Sequence, residues 1–126
     1  MKQFIALLIL LSSAPGFCQE AEFQFKKTVH KFPKTEEGKV LTHYFVFTNT
    51  GTAPLTIYSY SVACSCTEVT FPNYPIAPGK TDSIKMTFNT NGKYYQQDRK
   101  IILSSNARKK ETVLTFKVFV NPKQEK

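Results

Sequence analysis

Tryptophan is absent, glycine occurs only five times, and the chain holds three cysteines. The missing Trp excludes an antibody-type interior, in which an indole packs on an inter-sheet disulfide. The glycines are dispersed singly, so no phosphate-cradling loop is available. Acids are few, nine against seventeen Lys and Arg, for a formal charge of +8. Glu68, Asp82 and Asp98 stand alone, and Glu36 and Glu37 fall in a turn beside Gly38, where paired acids usually face solvent. There is no Gly-x-Ser-x-Gly elbow and no Ser/His/Asp set with recognisable spacing. Acid–base partners for a hydrolase or transferase are lacking, and the chain reads as a non-enzyme.

Long apolar runs are also scarce. The one clear run is Phe4 to Leu11, "FIALLILL", preceded by Lys2 and followed by the small-residue stretch "SSAPGFC". Charged start, short apolar core and small-residue exit make residues 1–18 a signal peptide. The run falls well short of the roughly 20 residues that span a bilayer, and no later segment is apolar enough to do so. Cleavage after Cys18 would leave Gln19 first, and residues 19–126 as one domain. Losing Lys2 takes the charge from +8 to +7. Cys18 also raises lipid attachment, against which Phe17 argues, because a lipobox has a small residue there. The expected location is periplasmic or secreted, where cysteine pairs usually close.

What is abundant is Phe and Tyr, eleven and six, set among Val, Ile and Thr. "AEFQFKKTVHKF" alternates from Phe23. "VLTHYFVFTNT" places Leu41, His43, Phe45 and Phe47 on one face by the period of two. "LTIYSYSVACSC" reads as the next strand, and it runs into the cysteines. "SIKMTFNT", "RKIILSSN" and "TVLTFKVFV" follow, separated by "PNYPIAPGKTD", Asn91-Gly92 and "ARKKE". Such segments between Gly, Pro and Asn are strands joined by turns. The count is about seven antiparallel strands over about a hundred residues, the pattern of an all-β, immunoglobulin-like β-sandwich. Its expected interior is Phe45, Phe47, Leu55, Ile57, Ile84, Met86, Phe88, Ile101, Leu103, Leu114, Phe116 and Val118. Burying each contributes roughly 1.5–3 kcal/mol.

Cys64 and Cys66 are one residue apart. In an extended strand both would point to one face with Cα atoms about 6.6–7 Å apart. That lies at or beyond the upper edge of disulfide geometry, so a bridge requires a local kink. Three readings stand side by side. The pair is a structural clip or two simple buried small residues. It is a reducible disulfide. Or two thiolates, with His43 as third ligand, hold copper or zinc. His43 shares its face with Phe45 and Phe47, which also suits a satisfied core histidine. His30 is expected to cap an early strand or turn.

"HKFPKTEEGKVLTHYFVFTNTGTAPLTI", "ACSCT", "PIAPGKTDSIKMTFNT" and "ILSSN", in that order, resemble the bacterial family of domain of unknown function 1573. The resemblance runs from about Phe25 to Val120. Its most specific pieces are "FTNTGTAPL", "CSCT" and "IAPGK". It implies an exported, immunoglobulin-like domain similar to scaffold modules of ciliary and sperm proteins, and no established activity. Two positions depart from the family's usual form. Ser65 stands where Gly often separates the cysteines, and Pro33 follows Phe32 where Gly is usual.

The expected function is to bind or scaffold an envelope or secreted protein, an exposed edge strand offering the means. The alternative is a small copper- or zinc-binding protein built on Cys64, Cys66 and His43. Tyr58, Tyr60, Tyr74, Tyr94 and Tyr95 suit either a binding face or cross-strand packing with a wet hydroxyl. The lysines are scattered. The densest clusters, Lys26-Lys27 and Arg108-Lys109-Lys110, are too short for a nucleic-acid motif and suit at most loose contact with an anionic envelope component.

Overall fold

The computed structural model describes residues 19–123. Residues 1–18, the expected signal peptide with Cys18, lie outside the described residues. Nine strands follow in chain order: β1 (Phe23–Phe25), β2 (Val29–Lys31), β3 (Thr35–Glu36), β4 (Val40–Asn49), β5 (Ile57–Val62), β6 (Thr67–Thr70), β7 (Thr81–Asn89), β8 (Tyr95–Ser105) and β9 (Glu111–Asn121). One sheet has the order β1-β4-β7-β6, and the other has β2-β9-β8-β5 with β3 also on β9.

The two sheets face each other around the aromatic interior that alternation dictates. Every member of the expected interior set is buried, and Ala21, Phe32, Val69, Ile76, Ala107 and Val120 join it. Phe88 of one sheet meets Phe116 of the other with ring centroids 5.1 Å apart. The fold is therefore an all-β sandwich.

The count exceeds seven because the N-terminal stretch divides and Thr67–Thr70, after the cysteines, forms a strand of its own. Gln24 pairs with Thr48 in the first sheet, and Lys26 N–H still donates to Val46 O. By Thr28 the backbone has reached the second sheet, where its carbonyl accepts from Thr115 N–H. Polar, exposed Lys26-Lys27 make that crossing at the surface. β2 and β3 then run parallel to β9, so the pairing is not wholly antiparallel. The stretch straps both sheets together at one edge.

Two loops are pinned by Asn49, which is fully buried at the end of β4. Its Oδ1 accepts from the N–H groups of Glu22 and Gly51, and its Nδ2 donates to the carbonyls of Ala53 and Ile76. All four polar valences of the amide are used. Gly51 is fixed by space, since a Cβ there would sit 2.1 Å from Glu20 O. The turn Ala77–Lys80 closes with Lys80 N–H donating to Ala77 O. Pro78 and Gly79, the latter at φ 80°, fill the central positions as a type II turn requires.

Candidate functional site

β5 ends at Val62, before the cysteines, so Cys64 and Cys66 lie in the turn to β6 rather than on a strand. Cys64 O accepts from Thr67 N–H at 3.1 Å, and Cys66 O accepts from Asn89 N–H at 2.9 Å. This turn supplies the kink that an extended strand lacks. The Cα atoms stand 5.2 Å apart and the two sulfurs are bonded. Cys66 N–H donates back to Cys64 Sγ at 3.1 Å. Both residues are half-buried, with Cys66 packed against the core edge.

Two open grooves meet this turn. One, of about 430 Å³, is lined by both cysteines with Val40, Glu68, Asn89 and Lys93 among others. The second, of about 400 Å³, is lined by Cys64 with Val62, Asp98, Arg99 and Lys100 among others. Cys64 borders both. Bridged sulfurs offer no thiolate, so copper or zinc chemistry at this turn belongs to a reduced chain.

His43 lies elsewhere. Its register partner in mid-β4 is Met86, and its ring stacks on His30 with centroids 3.5 Å apart and planes 9° from parallel. Phe32 and Phe45 meet the pair edge-on. Burial, then the Lys27 charge, lowers the His30 pKa below 6.5. Burial, then His30, lowers that of His43. Lys26, Lys27, Tyr44 and Val46 line the same shallow groove. Among the described residues no three His, Cys, Asp or Glu side chains gather at one point, so His43 does not complete a set with Cys64 and Cys66. His30 sits in mid-β2 opposite Phe116, not at a cap. Alternation gave the face of His43 but not its neighbour across the sheets.

The third feature is the free edge of β5. Tyr58, Ser59, Tyr60 and Ser61 are consecutive and exposed, and among the described residues β5 has β8 on one side only. A register shift between Ile57 and Ser59 makes Tyr58 the irregular residue. Tyr60 leans edge-on to Phe71 of the loop after β6. Tyr74 donates its hydroxyl to Asp82 at 2.6 Å, and that bond raises its pKa.

The basic clusters separate. Arg108 reaches Glu20 at 3.8 Å, with both side chains largely exposed. Lys26 and Lys27 belong to the crossing between the sheets. No helix among the described residues is long and apolar enough to cross a membrane.

Known structures share this architecture. A protein of unknown function from Porphyromonas gingivalis W83 superposes with a TM-score of 0.70 at 13% identity, over 80% of this chain and 47% of that one. The ASH / PapD-like domain 7 of human CEP192 gives 0.62 at 10% identity, over 85% and 89%. The Escherichia coli chaperone DraB gives 0.54 at 13%, over 81% and 56%. At such identities the likeness is one of fold. The chain spans about half the length of the Porphyromonas protein. The comparison with curated proteins finds no match. The family described as protein of unknown function (DUF1573) matches residues 23–120, nearly all of the folded domain, and the chain belongs to that family.

Proposed function

We propose that this chain is an exported binding module that holds an envelope protein by accepting an extended segment of it along β5. The observation that carries the reading is the composition of that edge. Sheet edges are normally guarded by charge, proline or strand shortness. β1 is three residues long and is followed by Lys26-Lys27, β2 is three long and carries Lys31, and β6 is four long and carries Glu68. β5, "IYSYSV", is six residues long with neither charge nor proline, and its one irregularity, at Tyr58, leaves Ser59–Val62 in regular register. Its unpaired backbone groups offer main-chain hydrogen bonds to an added strand. Tyr58 and Tyr60 offer broad contact area at low entropic cost. That DraB, a chaperone, shares the fold is consistent with a role in holding another protein.

The test replaces Ser59 and Ser61 with Lys, one at a time, in the full chain. Thr42→Lys, on the outer face of β4, is the control. Proteins cross-linked to the chain in the producing cell's envelope are then compared. The reading expects a discrete partner retained by Thr42→Lys and lost from both β5 variants. Retention by all three variants would overturn it.

A further inference from the structure

We propose that the Cys64–Cys66 bridge is a thiol–disulfide exchange site that takes electrons from a dithiol on a partner protein. The bridge joins nothing that hydrogen bonds do not already join. The turn is closed by Thr67 N–H on Cys64 O, and the β7 end is tied by Asn89 N–H on Cys66 O. With one residue between its ends, its constraint on the unfolded chain is small compared with that of a long-loop staple. A structural role therefore accounts for little of it, whereas access and charge suit exchange.

Both cysteines border an open groove, and Cys64 borders a second. The charged residues lining the two grooves that Cys64 borders are Glu68 and Lys93 in one, and Asp98, Arg99 and Lys100 in the other, three cations against two acids. A positive surrounding favours a thiolate. So does the Cys66 N–H aimed at Cys64 Sγ, since a hydrogen bond to the charged form stabilises it. Cys64 is thus the better leaving group, and Cys66 is the sulfur to be attacked.

The exchange runs in two displacements. A partner thiolate attacks Cys66 Sγ, the Cys64–Cys66 bond breaks, and its electron pair stays on Cys64 Sγ. The partner's second thiolate then attacks the partner sulfur of the mixed disulfide and releases Cys66 as thiolate. The partner dithiol is oxidised to a disulfide by two electrons. Cys64 and Cys66 are reduced by the same two and take up the two protons that the partner's thiols give up.

The experiment uses the full chain carrying Cys18→Ser, with dithiothreitol and glutathione as probes. One equivalent of dithiothreitol is expected to open the bridge in native buffer with the circular dichroism unchanged. A glutathione buffer that leaves structural disulfides closed is expected to open half of it. A pulse of iodoacetamide on the reduced chain near pH 6 is expected to label Cys64 about tenfold faster than Cys66, in proportion to thiolate content. With oxidised glutathione, the reduced chain is expected to re-form its bridge, while Cys64→Ser retains one glutathione on Cys66. A bridge that opens only in denaturant, a fold lost on reduction, or equal labelling of the two cysteines would overturn the proposal.

Discussion

His30 and His43 stack face to face across the two sheets, 3.5 Å between ring centroids. His30 rides on β2, the short parallel strand of one sheet, and His43 on β4 of the other. The contact couples the N-terminal strap to the sandwich at the one place where both rings are partly withdrawn from water. Two imidazoles so close resist taking two charges, and Lys27 adds a third nearby.

Stability should therefore fall in mild acid. Both folded-state pKa values lie below 6.5, the value each ring keeps when unfolded. Below that pH the unfolded chain binds more protons than the folded one, which favours unfolding. The contribution is complete above pH 6.5 and is lost as pH falls through the lower folded values. Melting temperature measured by circular dichroism across this range should drop for the natural chain. The double variant His30→Phe/His43→Leu should show a shallower drop, and an identical slope in the two would remove the histidines from the explanation.

Asn49→Ala should be among the most damaging polar substitutions. It strands the Glu22 and Gly51 N–H groups and the Ala53 carbonyl, while Ile76 O keeps the N–H of Leu55. Each unsatisfied group costs about 1–3 kcal/mol, so a loss of at least ~3 kcal/mol is expected. Urea unfolding gives the number directly. Asn49→Asp keeps the two acceptor contacts but loses both donors, and it should be destabilised as well.

How much of this was legible depended on whether one strand or two had to be read. The interior from Phe45 to Val118 followed from alternation alone, because each strand writes its own period. The need for a kink at Cys64–Cys66 followed from strand geometry. The His30–His43 contact did not, because parity assigns a face within a strand and says nothing about what stands across the core. "AEFQFKKTVHKF" looked continuous, yet it changes sheets at Lys26–Thr28, a choice made by β9 and not by local propensity. Glu37 read as a solvent-facing acid. Its two oxygens also accept, at the surface, from Gly92 N–H and Lys123 N–H, partners 55 and 86 residues away. β8 begins at Tyr95 and takes in polar Gln96–Asp98, because β9 extends the hairpin beyond the apolar run.

Gly51→Ala should release the segment before β1. The new Cβ would meet Glu20 O at 2.1 Å and Glu22 N at 2.7 Å, both backbone atoms. Overpacking of this kind costs about 1–3 kcal/mol. Hydrogen exchange should speed at the Thr50 and Thr52 amides, which donate to Glu22 O and Glu20 O, while amides in β8 and β9 stay protected.

Removing the bridge should matter far less than removing one core ring. Cys64→Ser/Cys66→Ser is expected to cost about 1–2 kcal/mol, from the small loop it closes. Phe116→Ala, at a fully buried ring against Phe88, is expected to cost about 3–5 kcal/mol. Denaturation of the two variants side by side checks the order. A bridge as costly as the ring would make it a structural staple.

The free edge of β5 carries the functional reading, and a photo-cross-linking amino acid tests it in place. The probe is set at Tyr58 or Ser61 on β5 and, for comparison, at Thr42 on the outer face of β4, and the producing cells are irradiated. A discrete adduct from both β5 positions, absent from Thr42 and abolished by adding Ser59→Lys, is the expected result. Adducts of equal strength from Thr42, or none from β5, would contradict a partner strand at this edge.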